Sequence, residues 1–441
     1  MINKVYKTIK EYGLLQNGDK IVIGLSGGAD SMCLTYILHT LCGKLGISLM
    51  TAHMNHNIRG SEALRDEAAA RDFSESLGIP FSSKSVNVPE YAQKKGISEE
   101  LAGRELRYSF FNELLAQHGF NKIATAHNRN DNAETIIMNF MRGSGIKGLC
   151  GIPHMRGNII RPILDITRSE IEDFCRENSL PYVTDSTNHE KIYTRNKIRL
   201  DLIPEIENSF NPNFTNTVTE NAAFIAADNE FLEDAASDFC KKNLSGGKIS
   251  VSALLGAHSA LRNRIIMKMI AEAAGNASDF SSDFVVKILE LAEKNKSGSY
   301  LTLPRGIRAA VEYGKLSISQ FEDVPEFEYK LPINEKIYIK ELKKNVIAEP
   351  VTGNSGSGIY IAADKSDCIC VRNRRNGDVF FPVGMDGRKK LKNFFIDCKI
   401  PRDDRAKMPI ITVNGEIAAV GSKRIDRRFN FEKKGIKITF I

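Results

Sequence analysis

The chain has 441 residues, 42% hydrophobic and 26% charged, with a formal net charge of +7. That length exceeds a single hydrophobic core and implies roughly two to four domains. No apolar stretch approaches the ~18 residues needed to span a bilayer and no charged-apolar-small leader opens the sequence, so a cytosolic protein with no membrane partner is expected.

In chain order, Ile21-Val22-Ile23 has the length and branching of a buried parallel strand, and Met32 to Leu41 carries apolar residues at helical spacing. Between them lie Ser26, Gly27, Gly28, Ala29, Asp30 and Ser31. The amides of such a glycine turn, with the first unpaired N–H groups of the following helix, make a positive cradle for phosphate. Asp30 among phosphate oxygens makes electrostatic sense when a cation such as Mg²⁺ lies between them, which makes it the candidate metal ligand. An ordinary strand-to-helix turn capped by Asp30 is the plainer alternative. No G-x-x-x-x-G-K-[ST] is present, so cleavage between the β and γ phosphates is not expected.

Short apolar runs at Ser48 to Ala52 and Lys122 to Thr125 alternate with helical patterns up to about residue 205, which predicts a parallel sheet covered on both faces. After the second run comes His127-Asn-Arg-Asn-Asp131-Asn-Ala-Glu134-Thr135. The spacing puts Asp131 and Glu134 on one helix face, at the sheet edge where α/β domains bind ligands. Two acids there suit a metal or an ammonium group; helix capping is the other reading. Arg107, Arg142, Arg195 and Arg199 stand among glycines, asparagines and hydroxyls, a setting in which guanidinium forks grip phosphate.

Asn211-Pro212-Asn213 punctuates the chain, and Phe214 to Asn243 and Ala253 to Ala274 then read as long helices. Tyr300 to Ile318 turns β-like, Thr352 to Gly358 reads as a flexible connector, and strands with one helix follow from 359. The expected division is therefore a catalytic domain at 1–205, a mainly helical domain at 206–320, a connector at 321–358 and a small basic α+β domain at 359–441. From Lys365 onward, 19 Lys and Arg face 9 Asp and Glu, a surplus of ten that leaves the preceding residues at −3 of the +7 total. Such a module suits a polyanion. Arg372, Arg374, Arg375, Lys389, Lys390 and Lys392 lie there among Phe380, Phe381, Phe394 and Phe395, which suit base stacking or, more commonly for Phe, a core. Eight scattered cysteines include no CxxC pair, which argues against a zinc site or disulfide framework.

Ser26 to Ser31 matches S-G-G-x-D-S, so the chain resembles the PP-loop ATP pyrophosphatases, which cut ATP between the α and β phosphates and adenylate a substrate oxygen. Within that superfamily it resembles the tRNA(Ile)-lysidine synthetases, whose H-x-x-D-D-x-x-E-T is matched at His127, Asp131, Glu134 and Thr135; the first paired aspartate is Asn130 here. Further matching segments include His53-Met-Asn-His-Asn-Ile-Arg59-Gly60, Arg104-Glu-Leu-Arg107-Tyr108, Arg142 to Gly148, Arg161-Pro162, Asp185 to Asn188 and Tyr193 to Arg199; in the terminal module, Arg372 to Pro382 matches as well.

The resemblance implies ATP-dependent ligation of free lysine to C2 of the wobble cytidine in the CAU anticodon of tRNA(Ile), through an adenylated intermediate. It implies ATP at Ser26 to Ser31, His53 and Arg107, Mg²⁺ at Asp30, lysine at Asp131 and Glu134, and tRNA at Arg195, Arg199 and the terminal cluster. His127 is a candidate proton acceptor. A homodimer is compatible with this reading, and the sequence fixes no oligomeric state. A tRNA thiolation enzyme would need paired catalytic cysteines. An RNA-binding protein that has lost catalysis is favoured only by Asn130.

Overall fold

The computed structural model describes residues 1–55, 61–183, 194–276, 280–321, 324–354, 356–385, 387–422 and 424–441. Arg59, Gly60, Asp185 to Asn188 and Tyr193, singled out above, lie outside the described residues. The chain divides into two compact units, Met1–Phe231 and Leu232–Ile441.

In the first unit, the alternation of Ile21, Val22 and Ile23 sets the architecture. Those residues form β1 (Lys20–Gly24), after the N-terminal helix α1 (Ile2–Glu11). Successive side chains point to opposite faces. Ile21 and Ile23 enter a core with Leu34, Ile37 and Leu38 of α2 (Ala29–Leu45). Val22 enters a second core with Phe110, Phe111 and Leu114 of α5 (Glu99–His118). Both faces of the sheet are therefore covered, as its apolar runs predict. Gly24 allows that covering, since an added Cβ would meet the Phe111 ring at 2.9 Å.

The remaining elements are β2 (Ser48–Asn55), α3 (Ser61–Ser76), β3 (Phe81–Ser85), α4 (Val88–Lys95), β4 (Lys122–Ala124), α6 (Arg129–Met141), α7 (Ile146–Leu149), β5 (Met155–Arg156), β6 (Ile159–Ile160) and α8 (Arg168–Glu177). The order is β3-β2-β1-β4-β6-β5, parallel except for the β5–β6 hairpin. Because β1 lies between β2 and β4, the loops leaving β1 and β4 diverge from neighbouring strand ends. That is the crevice in which open α/β sheets bind ligands. Beyond it, α9 (Thr194–Lys197) runs through a π-helical turn at Ile198–Leu202 into α10 (Ile203–Ser209), and α11 (Phe214–Asn243) follows.

In the second unit, α12 (Val251–Gly256), α13 (Ser259–Ala274) and α14 (Ser282–Lys294) share a core with an antiparallel sheet. Its strands are β7 (Leu244–Ser245), β8 (Lys248–Ser250), β9 (Ser299–Thr302), β10 (Ile307–Glu312) and β11 (Lys315–Gln320), in the order β7-β8-β11-β10-β9. The single helix expected over Ala253 to Ala274 is broken, because Ala257 is extended (ψ 152°). His258 then caps α13, its ring nitrogen accepting from Ala260 N.

The connector expected at 321–358 is overturned. It supplies β12 (Glu328–Lys330), β13 (Lys336–Ile339) and β14 (Lys344–Thr352). β14 pairs antiparallel with the last strand from Val346↔Phe440 to Thr352↔Lys434. The Gly/Ser-rich stretch is thus a loop within one sheet, since the next strand, β15 (Ile359–Ile361), pairs with the same partner. The other elements are β16 (Ile369–Arg372), β17 (Val379–Phe380), β18 (Lys389–Lys390), α15 (Leu391–Asp397), α16 (Arg402–Lys407), β19 (Ile410–Val413), β20 (Glu416–Val420), β21 (Arg424–Ile425) and β22 (Lys434–Phe440). Two helices stand where one was expected.

Candidate active site

The loop after β1 is held open by its own hydroxyls. Gly28 N donates to Ser26 Oγ at 3.4 Å, while Ser31 Oγ accepts from Ser26 N at 3.1 Å and donates to the Gly28 carbonyl at 2.9 Å. Gly27 has φ +90°, a conformation that strains any side chain, and an added Cβ would stand 3.4 Å from the Asp66 carbonyl. Gly28 caps the 17-residue helix α2, whose first amides face the cradle. The side chain of Ala29 is buried in the core, so only its backbone is available to a ligand. His53, buried at the end of β2, donates from Nδ1 to the Leu25 carbonyl at 2.9 Å, which leaves Nε2 as the acceptor. Burial lowers its basicity. Arg107 is exposed on α5.

α6 begins at the neighbouring strand end with a capping box: Asp131 N donates to Asn128 Oδ1 at 3.0 Å, and Asn128 N donates to Asp131 Oδ2 at 3.1 Å. The capping reading of Asp131 therefore holds alongside any ligand role. Asn128 also reaches across the crevice, donating from Nδ2 to Asp30 Oδ1 at 3.0 Å. The other Asp30 oxygen accepts from Arg168 Nη1 at 2.5 Å. Burial pushes the Asp30 carboxyl up from its ordinary value; Arg168 pulls against it, Asp131 adds to it, and Asn128 opposes it. Asn130, which replaces a family aspartate, accepts the backbone N–H of Arg168 at 2.9 Å and so fixes the start of α8.

Asp131 and Glu134 do share one face, and both acids meet Arg195 and Arg199 there. Arg195 donates to Glu134 Oε2 at 2.7 Å and Asp131 Oδ1 at 2.9 Å. Arg199 donates to Glu134 Oε1 at 2.5 Å, to Glu134 Oε2 at 3.0 Å and to Asp131 Oδ1 at 3.0 Å. The Glu134 side chain is 1% exposed. The acids expected to bind lysine and the arginines expected to bind tRNA are thus paired in this structure, and the four side chains neutralise one another. His127 hydrogen-bonds Thr125 Oγ1 at 3.0 Å, and burial, opposed by Asp131 and reinforced by Arg161, lowers it to about 4. An imidazole so weakly basic is a poor proton acceptor at neutral pH, contrary to expectation.

The basic cluster of the second unit separates into two kinds of residue. Arg372 is 5% exposed and forms a two-pronged pair with Asp378 at 2.9 and 3.0 Å, so its expected RNA role gives way to a structural one. Arg375 pairs with Glu328 at 2.8 Å and Lys389 pairs with Asp397. Arg374 is half-buried, whereas Lys390 and Lys392 are exposed with no ion pair among the described residues. Phe380, Phe394 and Phe395 are core residues, which decides against base stacking for them. Phe381 is half-buried beside Arg427 and Arg428.

Sequence reasoning missed Arg168 and Asn128. Thr167-Arg-Ser-Glu170 is a capping-box pattern that marks the start of α8, and that box forms. Nothing local announces that the next residue pairs with Asp30.

A model of the PP-loop domain matches residues 1–206, and a model of the TilS substrate C-terminal domain matches residues 369–440. The chain is 37% identical to the tRNA(Ile)-lysidine synthase of Caldanaerobacter subterraneus subsp. tengcongensis, over all of this chain and 97% of that protein. It is 40% identical to that of Clostridium tetani, over 98% of this chain and 96% of that protein, and 38% identical to that of Clostridioides difficile, over 100% and 99%. The chain belongs to the tRNA(Ile)-lysidine synthase family. Its phosphate cradle, Asp30, His127 and the Asp131–Glu134–Arg195–Arg199 cluster all fall within the matched PP-loop domain. Arg372 to Lys392 fall within the second matched domain. No helix among the described residues is long and apolar enough to cross a membrane.

Proposed function

We propose that this chain uses ATP to join free lysine to C2 of the wobble cytidine in the CAU anticodon of tRNA(Ile), giving lysidine, AMP and diphosphate and changing the codon read from AUG to AUA. The observation that carries this reading is the meeting of a phosphate cradle and an acid cluster at adjacent strand ends in a chain of this family. The cytidine O2 attacks the α-phosphorus of ATP and diphosphate leaves. The lysine ε-nitrogen then attacks C2, the C2–O bond breaks, and AMP departs. A carbonyl-type oxygen leaves poorly, and its adenylation divides one large barrier into two smaller ones.

The cradle amides and Ser26 to Ser31 hold the phosphates, with His53 Nε2 and Arg107 at the nucleotide. No group of three or more His, Cys, Asp or Glu side chains among the described residues is arranged to hold a metal. One carboxylate nevertheless fits Mg²⁺, which commonly takes one or two acids plus substrate phosphates. Asp30, destabilised by burial, is that carboxylate. When bound, the ion would neutralise charge on the phosphates. Because Arg168 and Asn128 already hold Asp30, they keep it aimed at the cradle.

Asp131 is the acid with an accessible edge, and it receives a lysine ammonium. At an ordinary pKa near 10.4 only about one amine in a few thousand is neutral at pH 7, so Asp131 accepts the proton as the C–N bond forms. Glu134 joins in binding lysine when Arg195 or Arg199 yields its place, and the released guanidinium is then free for an RNA phosphate. Lys390 and Lys392 add sequence-independent attraction for tRNA. Pairing of two copies is compatible with this chemistry, and none of its steps depends on it.

The test is mass spectrometry of nucleosides from tRNA(Ile) incubated with the protein, ATP and lysine. A lysine adduct on cytidine with release of AMP is expected; ADP and orthophosphate would overturn the proposal.

A further inference from the structure

Side chains alternate between the two faces of a strand. In β16, Ile369 and Val371 point into the core of the second unit, so Cys370, and Cys368 immediately before the strand, fall on the opposite face. Cys368 is exposed and Cys370 half-buried, and their sulfurs stand 3.9 Å apart. A C-x-C on a strand thus does what a C-x-x-C does at a turn: it brings two thiols to one point in reach of solvent. The lack of any C-x-x-C does not exclude a thiol chelate of this kind.

Both thiols are carried on fixed backbone. Cys368 N donates to Asn414 Oδ1 at 2.9 Å, and Asn414 N donates back to the Cys368 carbonyl at 2.9 Å. Asn414 Nδ2 in turn donates to Asp367 Oδ1 at 2.8 Å. Cys370 is flanked in register by Lys330 of β12 and Thr412 of β19. Ligands ordered before an ion arrives cost little further entropy when it binds. Burial and the neighbouring Cys368 push the Cys370 thiol up to about 11; Glu328 adds to this and Lys330 opposes it. Two thiolates this close repel one another, and a cation between them removes the repulsion. The other adjacent thiols, Cys33 and Cys175, are closed inside the core of the first unit, where structural cysteines are inert.

We infer that Cys368 and Cys370 chelate, as thiolates, a thiophilic d¹⁰ cation, Zn²⁺ or Cu(I). At metal–sulfur bonds of about 2.3 Å, sulfurs 3.9 Å apart subtend about 115° at the ion, close to the tetrahedral angle of about 109°. No group of three or more His, Cys, Asp or Glu among the described residues completes the shell, so solvent takes the remaining positions. Binding replaces both S–H bonds with metal–sulfur bonds and releases both protons; no electron is transferred. Mg²⁺ and Ca²⁺, which prefer oxygen, are rejected. The site takes no part in the ligation proposed above, so the two readings stand or fall separately.

The experiment uses the full-length chain, reduced and freed of metal without air. Zn²⁺ is titrated in one arm and Cu(I) in the other, each against a coloured chelator of that ion. The proteins are wild type, Cys368→Ser, Cys370→Ser and, as a control, Cys398→Ser at an exposed cysteine after α15. Wild type and the control are expected to take up one ion per chain, and the arm that binds more tightly names the ion. Cys368→Ser and Cys370→Ser should each bind at least about tenfold more weakly, the loss that follows even from removing a group that merely supports a ligand. Cys368 is exposed, so its variant is safe for folding. Alkylation of thiols followed by peptide mass spectrometry gives a second readout: the bound ion should shield Cys368 and Cys370 together and leave Cys398 reactive. Uptake of no ion in either arm overturns the inference, as does uptake undiminished in both serine variants of the pair. Shielding confined to other cysteines overturns it too.

Discussion

Glu134→Ala removes the acid that both arginines of the cluster share, and its cost follows from the geometry. The side chain is 1% exposed and accepts three charged hydrogen bonds, of 2.5, 2.7 and 3.0 Å. Stripping one partner from a buried ion pair costs about 3–5 kcal/mol. Arg195 and Arg199 are 29% and 35% exposed and keep Asp131, so solvent recovers part of that loss. About 2–4 kcal/mol is the expected penalty. For a unit of 231 residues, that corresponds to a fall in Tm of about 5–12 °C. The chain contains no tryptophan, so a Tyr36→Trp background, in the core of the first unit, gives a fluorescence signal from that unit alone. A double-mutant cycle with Glu134→Gln and Arg199→Gln should return a coupling of about 1–3 kcal/mol. Melting of Glu134→Ala within a degree of the parent, with coupling below about 0.5 kcal/mol, would refute the claim that these charges hold one another.

Asp131→Ala is expected to raise KM for lysine at least about tenfold while leaving ATP binding unchanged, as judged by steady-state lysine titrations and nucleotide binding; an unaltered lysine dependence removes Asp131 from that role. His127 binds a proton near pH 4 when folded and near 6.5 when unfolded, so the unfolded chain holds more protons in that window and stability falls as pH drops through it. His127→Gln should flatten that part of the stability profile, measured by urea unfolding at several pH values. Arg372→Met should destabilise the second unit by about 3–5 kcal/mol, with tRNA affinity falling only in proportion to the unfolded fraction. Lys390→Gln with Lys392→Gln should leave stability unchanged and lower the slope of log affinity against log salt by about 1 to 2.

The parallel sheet, its two covered faces and the phosphate loop were legible because each is written in local pattern. Ile21-Val22-Ile23 announces a strand buried on both faces, and Gly27 marks the turn that needs positive φ. The pairing of Asp131 with Glu134 on one face followed from helical periodicity alone. The strands between residues 321 and 358 were illegible for a different reason. β14 pairs with β22, about ninety residues away, and a Gly/Ser-rich stretch reads the same in a linker and in a loop between two strands of one sheet. In the terminal cluster, Arg372 and Arg375 look alike as sequence; only burial separates the one held by Asp378 from the exposed one beside Glu328.

Charge is where sequence reasoning had the least purchase, because the partners of this site are distant in the chain. Asp30 meets Arg168 across 138 residues, and Glu134 meets Arg195 and Arg199 across 61 and 65. Motif spacing marked the acids and arginines as separate ligand-binding groups, and folding brings them together as one neutralised cluster. The same logic gives Asn130 a purpose that its departure from the family pattern concealed. Its carbonyl oxygen takes the amide of Arg168, and the side chain of Arg168 in turn takes Asp30. A carboxylate at that position would accept the same N–H bond, and would also add a negative charge at the start of α8, whose Arg168 already serves Asp30. Asparagine supplies the bond without the charge, so the change preserves the hold on Asp30 and gives no reason to read the chain as having lost its chemistry.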